Sequence, residues 1–236
     1  MSQDAADVAR VTPPRRPGDR TRSGWGVIAG LVALGTIPVI AGSLRLVELS
    51  GGGSTMPSDA RYDAFPLPVV VHIASATVFA LLGAFQFSPQ IRRRHPGWHR
   101  RAGRVLVVAG LGVALSALWL NQFFPNAEAS REVLYPLRMA FGAAMVLTLA
   151  LGFMAARRCD FARHRAWMIR SHAIGMVAGT QVFTLGIGGL VFGSGDLSTA
   201  LLMAAAWAIY LAVAERAIGE RAPRRSPAAP PRLAVS

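Results

Sequence analysis

Lysine is absent from this 236-residue chain, cysteine occurs once, and only 12 acidic residues stand against 25 basic ones, all of them arginine. The single Cys159 excludes an internal disulfide, and no CxxC or paired Cys/His zinc spacing exists. No GxSxG, P-loop or HExxH motif is present, so the familiar soluble hydrolase and nucleotide-binding signatures are missing. Acidic residues are also missing from the interiors of the long apolar runs. A carrier coupled to protons or sodium ordinarily keeps a carboxylate in the membrane, so such coupling here would have to use histidine.

What remains is strongly apolar. Hydrophobic residues make up 53% of the chain and charged ones 16%, a balance foreign to most soluble domains of this size. Measured against the roughly 20 residues that a spanning helix needs, six runs qualify. They are Gly24–Leu44, Phe65–Ser88, Arg104–Phe124, Leu134–Ala156, Trp167–Phe192 and Leu197–Ala214. The reading is an all-α polytopic membrane bundle, with spans two to five as a four-helix core and spans one and six peripheral.

The arginines then fall into place. Five lie between Arg10 and Arg22, six between Arg92 and Arg104, five between Arg157 and Arg170, and five between Arg216 and Arg232. Every second connection is therefore basic, the positive-inside pattern. It puts both termini in the cytoplasm of a plasma-membrane protein, and assigns the net charge of +13 to anionic headgroups and not to nucleic acid. Arg92, Arg93, Arg94, Arg157 and Arg158 are the expected headgroup contacts. Glu48, Asp59, Asp63, Glu128 and Glu132 fall in the segments assigned outside, and Trp25, Trp98, Trp119 and Trp167 near the boundaries.

Residues 1–23 and 215–236, rich in Arg and Pro, are expected to be disordered tails around a membrane domain of residues 24–214. The first run is too long for the apolar region of a cleaved signal peptide and reads as an uncleaved helix.

Two hairpins echo each other. Spans two and three turn through Arg92-Arg-Arg-His-Pro-Gly-Trp-His-Arg-Arg-Ala-Gly-Arg104, and spans four and five through Arg157-Arg-Cys-Asp-Phe-Ala-Arg-His-Arg165. Each places a His-Arg pair, His99-Arg100 or His164-Arg165, before the returning helix. Together with His72-Ile-Ala-Ser, Gly83-Ala-Phe-Gln-Phe and His164-Arg-Ala-Trp-Met-Ile-Arg-Ser, these loops resemble an uncharacterised bacterial membrane family, domain of unknown function 2306. The resemblance covers about residues 67–190. It differs where relatives often carry Tyr and this chain has Val105. It implies a multi-helix membrane fold and no particular activity.

Chemistry rests on a few polar residues inside the spans. His72, Ala76, Phe79, Gly83 and Gln86 share one helical stripe. Arg138, one turn inside span four, is costly in lipid unless it snorkels or faces the interior. With Gln181, His72, Gln86 and Arg138 are expected to form a buried polar cluster. His172 is followed on its face by Gly175 and Gly179, and His99 by Gly103 and Gly110. Such a face suits close helix packing or a planar macrocycle.

Two functional readings follow. One is a non-redox protein, either a small-solute or lipid carrier or a structural subunit, with His72 and Arg138 central. The other is a b-type haem or quinone-linked electron-transfer protein, with His172 and either His99 or His164 as haem ligands. Topology is checked directly. Reporter fusions after Ser50, Glu128 and Ser194 should read extracytoplasmic, and those after His95, Cys159 and Gly219 cytoplasmic. The reverse at either arginine-rich loop would overturn the assignment.

Overall fold

The computed structural model describes residues 25–53, 62–124, 128–193 and 195–220, with the side chains of the third stretch described from 132 onward. Most of the two expected tails lies outside the described residues. Eight helices follow in order: α1 Trp25–Leu49, α2 Leu67–Gln86, α3 Pro89–Arg94, α4 Pro96–Phe123, α5 Glu128–Arg157, α6 Phe161–Gly175, α7 Val177–Phe192 and α8 Asp196–Gly219. No strand occurs among the described residues.

Five of the helices are long and apolar enough to cross a membrane, and α6 with α7, bent by 42° at the break between them, makes a sixth if the pair is one span. The six-span reading holds, but several edges move. Helix α4 starts at Pro96, eight residues before the expected Arg104, because arginine is a good helix former and proline suits the first helical turn. Helix α8 runs five residues past Ala214 into what was expected to be tail. The loop between spans two and three also contains α3, which the apolar pattern does not reveal. Ser88 caps it by accepting from Ile91 N at 3.3 Å, Pro89 opens it, and Arg92 to Arg94 favour its negative C-terminal end.

Successive spans alternate in direction. Gly35 of α1 approaches Ala80 of α2, and Gly42 approaches Ile73, an antiparallel register. At its far end α8 runs along α6, Arg165 near the start of α6 reaching Ala217 O and Arg170 further along pairing with Glu215. The beginnings of α1, α4 and α6 and the ends of α2, α5 and α8 thus share one end of the bundle, here termed the arginine-rich end.

The central core joins α2, α4, α5 and α6 through Phe79, Leu106, Ala109, Val113, Ala114, Met145, Leu149 and Ile174. These are the expected four central spans. Helix α8 is less peripheral than expected: it buries Ala206, Trp207 and Ala214 against α5, α6 and α7. Glycine makes this density possible. At Gly112 the Ser75 hydroxyl fills the space of a side chain, and at Gly110 Leu149 and Phe79 do so. Small residues bring helices together where hydrocarbon provides no hydrophobic drive between them.

The break between α6 and α7 falls at Met176. Its N–H still donates to His172 O at 2.9 Å, and the chain resumes with Gly179 N donating to Met176 O at 3.1 Å. Gly175 lies against Phe79 and Met145, while Gly179 lies against the backbone of α1, where an added β-carbon would stand 2.5 Å from Leu34 O. The bend lets α6 stay on the core while α7 leans on α1. Replacing Gly179 with Ala should therefore push α1 away and destabilise the protein by about 1–3 kcal/mol. Gly186→Ala, at a position open to its surroundings, should be neutral or stabilising. Thermal unfolding in detergent distinguishes them, and equal melting temperatures would contradict the close α1–α7 approach.

Candidate functional site

The polar residues picked out by sequence do not gather in one place. His72 and Gln86 share a stripe of α2 but are separated along it by a rise of about 21 Å. His72 Nδ1 lies 3.0 Å from Ser116 Oγ on α4. The Ser116 hydroxyl donates to backbone carbonyls of its own helix, Gly112 O and Val113 O. It is thus left to accept, so His72 donates from Nδ1. This pair is a polar clasp between α2 and α4, at the end away from the arginines.

Arg138 lies elsewhere, on the face of α5 that meets α8, with Nη2 3.7 Å from Met203 Sδ. One turn on, Phe141 and Trp207 stack with centroids 4.3 Å apart and planes 8° from parallel. Gln181 is a half-buried residue of α7. The expected His72–Gln86–Arg138–Gln181 cluster is therefore spread over different helices and depths.

His172 differs from all of these. It is 6% exposed and lies one turn before the α6–α7 break. Its ring covers Gly83 of α2, where an added β-carbon would stand 2.6 Å from Cε1. Phe79 and Phe87 flank it, with centroid distances of 5.3 and 4.8 Å. Nε2 is buried without a hydrogen-bond partner, and so are Gln86 Nε2 on the same α2 stripe, Ser171 Oγ beside it, and His99 Nδ1. Trp207 Nε1 and Tyr210 Oη, on the α8 side of α6, are in the same state. Buried polar atoms ordinarily find partners, and in hydrocarbon the cost of leaving them bare is several kcal/mol each, as an order of magnitude.

The haem expectation meets this packing. Of the glycines that would make a slot, Gly110 is filled by Leu149 and Phe79, Gly175 by Phe79 and Met145, and Gly179 by the α1 backbone, while Gly103 is open. A macrocycle at His172 would have to displace these core side chains. His164 and His172 stand on one helix eight residues apart, a rise of about 12 Å, so they do not face each other across one iron. His164 moreover donates from Nδ1 to Gly152 O at 2.9 Å, tying α6 to α5. His99 stays half-buried in the first turn of α4, at the arginine-rich end. The residues around His172 do not fit a haem as packed.

The arginines divide into two groups. Arg92, Arg93, Arg94, Arg157 and Arg158 are exposed. Arg170 instead forms a two-pronged pair with Glu215, its Nη2 2.8 Å from Oε2, and lies over the Trp167 ring at 4.9 Å. Arg165 donates to Ala217 O at 3.1 Å. These two clamp α8 to α6. Nothing in the sequence marks Ser116, Ser171, Trp207 or Tyr210, and Glu215 is marked only as an acid directly before the last arginine cluster.

The sequence profile of the family described as "Predicted membrane protein (DUF2306)" matches residues 69–218, from α2 through nearly all of α8. The chain belongs to that family. The match takes in α8, which the loop motifs alone do not reach. No curated protein and no solved structure matches the chain.

If the His72–Ser116 clasp holds α2 to α4, a double-mutant cycle of His72→Ala and Ser116→Ala should return a coupling of about 0.5–1.5 kcal/mol. Strictly additive losses would show that the two side chains do not act together.

Proposed function

We propose that this family member is a non-redox carrier of a lipid or small solute, with its seat in the arginine-rich half of the bundle beside His172. One observation carries the reading: a 94%-buried histidine, its Nε2 unpartnered, one turn from an interrupted membrane helix. Interrupted helices at membrane depth are the usual sites of carrier ligands, because irregular backbone and free polar groups need something other than hydrocarbon beside them. A purely structural subunit gives no account of a polar atom buried bare in its core. By sequence, His72 and Arg138 would hold helices together or line an outward cavity. The satisfied His72–Ser116 pair favours the first of these and supports His172 as the seat.

The exposed Arg92 to Arg94, Arg157 and Arg158 bind anionic headgroups in this reading, each contributing about 1 kcal/mol near the surface. They hold the arginine-rich end at the cytoplasmic leaflet of the plasma membrane.

The test is carriage itself. The full chain is reconstituted in vesicles of phosphatidylethanolamine and phosphatidylglycerol with a fluorescent headgroup-labelled lipid, and a membrane-impermeant reductant is added. Bleaching should continue past the outer leaflet, and His172→Leu should slow it. The purified protein should release a bound small molecule or lipid in mass spectrometry and show a featureless reduced-minus-oxidised visible spectrum. Vesicles that bleach like protein-free ones, together with protein that releases nothing, would reject the carrier reading.

A further inference from the structure

The chemistry of the unpartnered atoms narrows what the seat can hold, on the premise of the carrier reading above. Gln86 Nε2 is a donor only, and so is Trp207 Nε1 on the far side of α6. His172 Nε2, His99 Nδ1, Ser171 Oγ and Tyr210 Oη can each donate. Among the described residues, no unpartnered buried side-chain atom can only accept. The complement of such a set is an oxygen acceptor.

Charge narrows it again. Of the arginines on α6, Arg163 pairs with Asp160, Arg165 is bound to the Ala217 carbonyl and Arg170 to Glu215. The ring of His172 is walled by Phe79, Phe87 and the bare face of Gly83. An anion placed there would lose its hydration without gaining a cation, which is unfavourable by several kcal/mol as an order of magnitude. A neutral carbonyl oxygen asks only for donors.

Access follows from the same stripe. Gln86 is one turn past Gly83 toward the arginine-rich end, and it is half-buried where His172 is closed off. A molecule that enters from the headgroup region meets Gln86 first and His172 beyond it.

We infer that the seam where α6 packs on α2 binds a lipid-soluble molecule through an uncharged carbonyl oxygen, received by Gln86 Nε2 and His172 Nε2. Two sources carry that group at this depth, the ester carbonyl of a membrane lipid and the ring carbonyl of an alkylated quinone.

The experiment uses the full chain in detergent and native mass spectrometry with three probes. They are a short-chain diester phosphatidylcholine, its dialkyl-ether analogue lacking the carbonyls, and an alkyl-benzoquinone. The diester should be retained about tenfold better than the diether, the margin of one to two hydrogen bonds. Gln86→Leu and His172→Leu should each collapse that preference. Gln86, half-buried at the helix end, is the safer change, and an unaltered melting temperature confirms that its variant is folded. Displacement of the diester by the quinone assigns the quinone as the source, and failure to displace assigns the lipid. Equal retention of diester and diether by the unaltered protein would overturn the inference, as would a folded Gln86→Leu variant that keeps the full preference. Lipid translocation that persists in either case would leave the carrier reading standing, whereas its absence together with protein that releases no bound molecule would take both down.

Discussion

Hydrocarbon offers a polar atom no partner, and much of this bundle is arranged around that constraint. It explains why the chain crosses as helices, each closing its own backbone hydrogen bonds. It also explains why the hydroxyls within the spans turn back on their own helices. Thr36 bonds to Val32 O, Ser43 to Val39 O and Thr148 to Ala144 O. Where a side chain is too long for that, it reaches a neighbour: His72 to Ser116, His164 to Gly152 O, Asn121 to Tyr135 O. Each such bond is also a tie between helices. In a medium that drives no apolar association, these ties and close glycine contacts do what a hydrophobic core does in water.

Against that rule the exceptions stand out. The two intramembrane histidines look alike in sequence, each a lone imidazole on a helix with small residues on its face. Their difference lies in what the opposite helix presents. For His72 the facing α4 residue is Ser116, a hydroxyl whose own proton is already committed, so the imidazole has a ready acceptor. For His172 the facing α2 residue is Gly83, which makes room but supplies no hydrogen bond. The imidazole itself fills that room and leaves its Nε2 bare, whereas the imidazole of His72 is fastened by its hydrogen bond. Neither pairing is readable from one strand of sequence, because register between helices is set by packing.

What was legible follows the same division. Span number and the alternation of ends follow from apolar length and arginine placement, both local properties that no tertiary contact can reverse. The central four helices were legible from the hairpin echo. The helix break was not. Pro38 and Pro136, the usual signs of interruption, lie within continuous helices α1 and α5, whereas the 42° bend falls at Met176, where there is no proline. Its cause is a demand from two sides, Phe79 and Met145 against Gly175 and the α1 backbone against Gly179. The glycines were visible, and by sequence they suit either close helix packing or a slot for a ring. The structure uses them for helix contact.

Arginine shows why composition alone misplaces a site. Twenty-five identical cations suggest one role, attraction to anionic headgroups, and the exposed ones on α3 and at the end of α5 suit it. Arg165 and Arg170 belong to the same cluster by sequence but have been withdrawn from it. One is bound to a carbonyl at the end of α8, and the other to Glu215 through the fork geometry that favours guanidinium over ammonium. Their engagement has two consequences at once. It fixes α8, and with it Trp207 and Tyr210, against α6. It also removes free positive charge from the flank of His172. The half of the protein richest in cations therefore contains, at its centre, a polar seat at His172 whose neighbouring α6 arginines are all engaged elsewhere, and the preference of that seat for a neutral acceptor follows from the clamp that holds the last helix in place.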